Sequence, residues 1–391
     1  MSLRKFLERY VGSGNKITAS SVHDAISRVD RRLASLTERL DQQAFKHLHF
    51  EDVNPLPVDE TRFLLFTYPE AFDHRVKRVN LGDYMQTLAV ENALKSLNQD
   101  IHLEYFDRDN ISNYRPQIPG SEKSIVTVMQ GFFWGGEDSF PNKYIYPVYI
   151  GTHLGGFMEY KDHLNHAEKM YKRFIRKFPT FFNGRSVGCR DKRTTMFFKT
   201  CGIDAYFSRC LTLTLPSRPE QNYSESKVLV AVRAFMEEYI PQKIAKDCIK
   251  FNPDVDVSSY IWNGAIDFKK SSNLINETRE VLKFYSQAKL VITDRIHVAA
   301  PCIAMGVPVV IIKFKDDDPR YDIFEGLTKV YSFEDLKKGR IDLDVQPVAI
   351  QPLKDMMLAH FDLTIKSIGI TENKYESTLQ ELRKEISNYK V

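Results

Sequence analysis

Cysteine is scarce in these 391 residues, and the five present (Cys189, Cys201, Cys210, Cys248 and Cys302) are odd in number and never spaced as CxxC. That pattern argues against a disulfide framework and against structural zinc, and it fits thiols buried in a reducing compartment. No run approaches the roughly 20 uncharged apolar residues that span a bilayer. Residues Met1 to Val11 interleave Arg4, Lys5, Glu8 and Arg9 with leucines and aromatics, which is too polar for the apolar centre of a signal peptide. A cytoplasmic protein is expected. An excess of one charge is also lacking, since 55 basic residues face 51 acidic ones. Wholesale nucleic-acid binding is therefore not expected, although local basic faces suit anionic headgroups at the inner membrane face or a phosphorylated acceptor. GxGxxG, HExxH, the Walker loop and the nucleophile elbow are absent. No pair of carboxylates is arranged as a glycosidase dyad.

What is present points to packed α/β structure. An apolar share of 43% with 12% aromatics supplies ample core, and the length predicts two domains. Near the start, Val22, Ile26, Val29, Leu33, Leu36 and Leu40 alternate in steps of four and three, with Arg31, Arg32, Glu38 and Arg39 outside the seam. Two apolar positions in seven predict a coiled-coil helix over about 21–47, and hence a homo-oligomer, rather than a helix lying on its own domain. The segment 1–51 is set apart by a proline-bearing linker at Pro55 and Pro57. Phe63 to Tyr68, Ile101 to Phe106 and Ser124 to Met129 then read as buried strands of a first domain, 58–222. The polar stretch Pro216 to Ser226 divides it from a second, 223–350, with strands at Lys227–Val232, Leu290–Thr293 and Val307–Ile312. A helical tail, 351–391, follows.

The most informative stretch is Val291 to Val310. A buried strand turns into a helix whose face is Ile296, Ala299, Ala300, Ile303 and Ala304, closed by Gly306. Proline is tolerated in a first turn, so Pro301 predicts that the helix opens near His297. Its free amides and dipole would then lie beside Arg295 and His297, a natural anion site at the carboxyl end of a parallel sheet.

Three such turns carry polar groups: Asn80-Leu-Gly-Asp83, Cys189-Arg-Asp191 and Asp294-Arg-Ile-His297. Two facing Rossmann-like domains would bring them to one cleft. Each also has a plainer reading. Asn80 or Asp83 could simply cap a helix, with Gly82 an ordinary loop residue. Arg190 and Asp191 could be a surface ion pair, and His297 could be structural. The run Asp316-Asp-Asp318 reads as a solvated loop rather than a metal site.

Taken in order, several segments resemble the polysaccharide pyruvyl transferase family. They are Asn80-Leu-Gly-Asp-Tyr-Met-Gln86; Gly131-Phe-Phe-Trp134 with Ile145 to Ile150 and His153; Ser186 to Asp191; Gly202 to Ser208 with Leu211 to Leu215; and Ile292 to His297 running into Ala304 to Pro308. The resemblance covers about residues 60–350. It departs from the family at Asp294 and at Arg209, where many members carry glycine. It implies a fold of two Rossmann-like domains facing a cleft, similar to GT-B glycosyltransferases. It further implies transfer of a pyruvyl group from phosphoenolpyruvate to sugar hydroxyls as a ketal, in cell-surface glycan assembly, on a sugar linked to a lipid or nucleotide carrier.

On that resemblance Arg190 and Arg295 bind the donor's carboxylate and phosphate, and His297 is the acid. Asp83 is a base or orienting group, Asn80 and Gly82 line the site, and neither metal nor cofactor is required. A GT-B-type glycosyltransferase using a nucleotide sugar and a non-catalytic scaffold for glycan enzymes are the two alternatives.

Overall fold

A computed structural model describes residues 26–29, 31–32, 35–36, 58–68, 72–73, 78–97, 100–116, 123–132, 137–154, 161–220, 226–251, 254–256, 271–368 and 374–391. Most of the heptad segment 21–47, the linker prolines and Trp134 therefore lie outside the described residues. The described part of the heptad segment is helical, and Ile26 and Leu36 are exposed.

The strands are β1 (Val58–Thr67), β2 (Phe72–Asp73), β3 (Arg78–Asn80), β4 (His102–Asp107), β5 (Ser124–Phe132), β6 (Ile145–His153), β7 (Val187–Cys189) and β8 (Ala205–Phe207). After them come β9 (Val228–Ala231), β10 (Cys248–Lys250), β11 (Asp254–Asp256), β12 (Leu290–Thr293), β13 (Val309–Lys313) and β14 (Val330–Ser332). The buried apolar runs of β1, β6, β9, β12 and β13 are what strands covered on both faces require. Six form a parallel sheet in the order β4-β1-β5-β6-β7-β8, and five a second parallel sheet in the order β10-β9-β12-β13-β14. The expected α/β architecture of two parallel sheets is therefore observed.

Sequence periodicity gives no hint of a third sheet. Strand β11 pairs antiparallel with β3, setting Asp254 opposite Asn80 and Val255 opposite Val79, and β2 extends the ladder. Backbone from the second half of the chain thus fixes the approach to the helix Leu81–Leu97. An ion pair adds to the join, since Arg279 on the helix Ser271–Ser286 donates to both carboxylate oxygens of the buried Glu91 at 2.8 Å.

The tail returns to the first sheet. Ser387 Oγ, in the helix Glu376–Asn388, donates to Phe207 O on β8 at 3.0 Å, and Val391 N to Gly326 O at 2.7 Å. Arg209 holds this closure. It is the one non-glycine residue with positive φ (59°) among the described residues, and its buried guanidinium donates to the carbonyls of Ile323, Glu325, Ile386 and Tyr389. A left-handed backbone explains why glycine suits this position, and the clasp explains what arginine adds. Arg209→Gly should relieve backbone strain and still lose about 3 kcal/mol, because several buried carbonyls lose a charged donor. Denaturant unfolding measures it, and a variant as stable as the parent would show that the clasp contributes nothing.

Candidate functional site

The carboxyl edges of the two large sheets meet, and the helix Leu81–Leu97 opens at the junction. Asn80 does cap it, its Oδ1 accepting from Gly82 N at 3.0 Å, while its Nδ2 donates to Asp83 Oδ2 at 3.2 Å. Gln86 Nε2 holds the other oxygen of Asp83 at 3.2 Å. The helix is docked on β1 through Thr87, which donates to Phe66 O, and through the Tyr84 hydroxyl, which accepts from Tyr68 N. Gly82 lies directly against the other sheet's histidine. A Cβ there would fall 2.0 Å from His297 Nδ1 and 2.5 Å from His297 Cβ.

Arg190 follows β7 and is buried, so the surface ion-pair reading fails. Asp191 turns away from it to cap the helix Lys192–Thr200, accepting from Thr194 N at 2.8 Å and Thr194 Oγ1 at 2.7 Å. The same carboxylate lies 2.6 Å from His153 Nδ1 at the end of β6. The Arg190 guanidinium is left to point at the junction, with Nη1 3.4 Å from His297 Nε2 and with Nε making no hydrogen bond.

His297 is the second residue of the helix Ile296–Met305, which ends at Gly306 with φ 75°. Pro301 lies in the second turn rather than the first, so it lacks the amide that would bond the His297 carbonyl in the helical pattern. No side chain caps the opening turn, which leaves its amides and positive dipole end facing the junction. Arg295 sits at the N-cap, its Nε 3.5 Å from the buried Asp294, which also pairs with Arg233 at 3.0 Å. Arg320 supplies a further positive charge beside His297. Asp318 anchors it with both carboxylate oxygens, accepting from Arg320 Nε at 2.9 Å. Asp318 is buried, unlike Asp316 and Asp317, so the acidic run is only partly a solvated loop.

Burial, then the charges of Arg190, Arg320 and His153, push His297 down to about 3. At neutral pH the imidazole is therefore uncharged. His153 is lowered to about 4, because burial and Arg190 outweigh Asp191. His360, buried beside Arg383 far along the chain, is lowered to about 3. Asp83 moves the other way, raised chiefly by burial despite Arg108 and Arg190.

All three histidines are neutral when folded and take up protons near 6.5 when unfolded. Their stabilising contribution is therefore full above about pH 6.5 and is lost as pH falls through their folded values. The melting temperature should drop between pH 7 and pH 4, and His360→Gln should flatten that slope. Identical slopes in parent and variant would contradict the assignment.

Comparison with known proteins decides the family. Residues 80–316, more than half of the chain, match the description polysaccharide pyruvyl transferase. The chain belongs to that family. No curated protein matches it. Among solved structures, an uncharacterized protein of Klebsiella pneumoniae is 13% identical, covering 68% of this chain and 88% of that one with a TM-score of 0.36. Staphylococcus aureus MnaA with UDP is 10% identical over 78% and 97% (TM-score 0.39), and the wall teichoic acid polymerase TagF is 11% identical over 95% and 99% (TM-score 0.35). At such distances these likenesses carry nothing about activity.

In this pyruvyl transferase family member Asn80, Gly82, Asp83, Arg190 and His297 come together, and Arg295 is the N-cap of the helix that carries His297. Sequence reasoning missed Arg320 and His153 as parts of the site and gave Asp191 only as a member of the turn that carries Arg190. His153 stood in a recognised segment, but its contact with Asp191 spans 38 residues, beyond any spacing rule. Among the described residues no cluster of His, Cys, Asp and Glu is arranged to hold a metal, and no helix is long and apolar enough to cross a membrane.

Proposed function

We propose that this chain is a cytoplasmic transferase of cell-surface polysaccharide assembly that moves the pyruvyl group of phosphoenolpyruvate onto two hydroxyls of a carrier-linked sugar as a ketal. A GT-B-like facing of its two sheets forms the cleft. One observation carries the reading: across the junction the buried Arg190 guanidinium reaches His297 Nε2 at 3.4 Å, beside an uncapped helix start. A small donor bearing a carboxylate and a phosphate suits that concentration of positive charge. Arg320 supplies a second guanidinium beside His297, and Arg295, at the N-cap of the same helix, a third.

In the proposed reaction the donor's methylene carbon gains a proton, and a sugar hydroxyl adds to the adjacent carbon. Phosphate leaves, and a second hydroxyl closes the ketal. Both hydroxyl protons are released to base or solvent. A bound dianion offsets the charges of Arg190 and Arg320 that depress His297, which raises its proton affinity and lets it deliver the proton. Asp83, its carboxyl raised by burial and fixed by Asn80 and Gln86, orients or deprotonates the acceptor. Donor cations and helix amides stabilise the departing phosphate without a metal.

Calorimetric titration with phosphoenolpyruvate against a panel of nucleotide sugars tests the donor, and phosphate release with a diol sugar tests the reaction. Binding of phosphoenolpyruvate and acceptor-dependent phosphate release are expected. Binding of a nucleotide sugar with no response to phosphoenolpyruvate would replace this reading with a glycosyltransferase.

A further inference from the structure

The carboxyl edge of the second sheet carries more than the anion-binding turn. Strand β9 runs on to Arg233 and then to Phe235 and Tyr239 in the 3-10 segment Ala234–Tyr239. Phe314 directly follows strand β13, and Phe333, directly after β14, opens the helix Phe333–Lys337. These four rings form one cluster. Phe235 lies 5.1 Å from Phe314 and 5.4 Å from Phe333 between centroids, and Tyr239 lies 5.6 Å from Phe333. Phe314 and Phe333 are partly buried and hold the cluster to the core. Phe235 and Tyr239 are 45% and 36% exposed, an apolar outlay that folding alone does not require.

The cluster is continuous with the cleft. Arg233 places its guanidinium 5.1 Å over the Phe314 ring and pairs with Asp294 at 3.0 Å, and Asp294 in turn pairs with Arg295 at the helix start. A ligand seated at the His297 turn and extending along this edge would pass over the exposed rings.

Charge decides what could lie there. Three nearby cations are matched by carboxylates, Lys337 by Glu334 at 2.8 Å, Lys250 by Glu237 at 2.9 Å and Lys313 by Asp316 at 3.9 Å, while Tyr239 is bonded to Glu238. A surface built for lipid headgroups or a nucleoside diphosphate would present unmatched positive charge. This one offers flat apolar faces bordered by carboxylates that accept hydrogen bonds. Those features suit a neutral sugar ring, with C–H groups on the ring faces and hydroxyls toward the carboxylates.

We propose that Phe235 and Tyr239 form a saccharide subsite, which takes the sugar next to the modified one and so selects oligosaccharide over monosaccharide acceptors. The proposal rests on the reading of the cleft as a sugar-modifying site and deepens it.

Saturation-transfer NMR on the full chain, without donor, tests the subsite with lactose and cellobiose, and with uridine diphosphate and phosphatidylglycerol vesicles in parallel. Saturation of disaccharide ring protons is expected. It should fall about tenfold in Phe235→Ala/Tyr239→Ala, the weakening that follows from losing about 1.4 kcal/mol of stacking, and should survive in Phe235→Tyr. Circular dichroism checks that the double variant is folded. Disaccharide signals that are absent from the parent, or equal in parent and double variant, would overturn the proposal. Binding of the diphosphate or the vesicles, lost in the double variant while disaccharides fail to bind, would overturn it too. Ring-dependent disaccharide binding without any phosphate release from phosphoenolpyruvate would uphold the subsite and sink the donor assignment instead.

Discussion

Arg190→Met should lower kcat/KM for phosphoenolpyruvate by about 10²–10³ and leave the protein at least as stable as the parent. The two effects have opposite signs because the residue is costly to fold and useful to chemistry. Its side chain is almost fully buried, its Nε makes no hydrogen bond, and the nearby carboxylate of Asp191 is committed to His153 and Thr194. Burial lowers its proton affinity, the sign of a guanidinium held without adequate compensation. Methionine of similar length removes that desolvation cost, and such replacements of buried charge are often neutral or stabilising. The same replacement removes the cation facing the departing phosphate, and losing one such group from a water-excluded site costs about 10²–10³ in rate.

Arg62→Met is the counter-case. Arg62 pairs with Glu104 at 2.5 Å inside the first sheet, so its loss strands a buried carboxylate and should cost about 3 kcal/mol without a specific effect on turnover. Steady-state phosphate release and denaturant unfolding on both variants separate the two roles. Turnover of Arg190→Met within tenfold of the parent would remove Arg190 from the donor site.

What sequence could reveal here follows the range over which its rules operate. Buried parallel strands announce themselves by apolar runs, and so β1, β5, β9, β12 and β13 were legible, as was the helix closed by Gly306. The turn at Asp294 to His297 was legible because helix ends have local signals. The pairing of β3 with β11 was not, since three-residue strands have no period and their partners lie far apart in the chain. Arg320 was hidden for a related reason. Beside Asp316, Asp317 and Asp318 it looks like part of a solvated charge run, and only the fold buries Asp318 and turns the arginine inward. The plainer reading of Asn80 as a helix cap is correct, and it coexists with the site, since the cap fixes the carboxylate of Asp83.

Gly82→Ala should abolish turnover, with a loss greater than about 100-fold, although alanine is the better helix former and Gly82 has an ordinary helical backbone. Propensity alone would make the change stabilising by up to ~1 kcal/mol. Packing reverses that expectation. The added methyl would meet His297 Nδ1 at 2.0 Å and the ring's Cβ and Cγ at 2.5 Å, closer than real Cβ contacts allow. His297 Cβ is fixed to the backbone of a helix start, so rotating the ring away cannot relieve that contact. Either the imidazole swings off the line to Arg190 or the two sheet edges move apart, and both separate groups that must act on one donor. A misplacement of about 1 Å costs on the order of 10²-fold in rate.

Gly202→Ala serves as the contrast. It has no neighbour within 4 Å of the added methyl but a φ of +77°, so its cost is backbone strain far from the donor. Donor titration and turnover on the pair distinguish the mechanisms. Gly82→Ala should weaken phosphoenolpyruvate binding and stop phosphate release in a protein that still unfolds cooperatively, whereas Gly202→Ala should lose stability and keep its donor affinity. Parental phosphate release from Gly82→Ala would mean that the edges do not meet at His297 during the reaction.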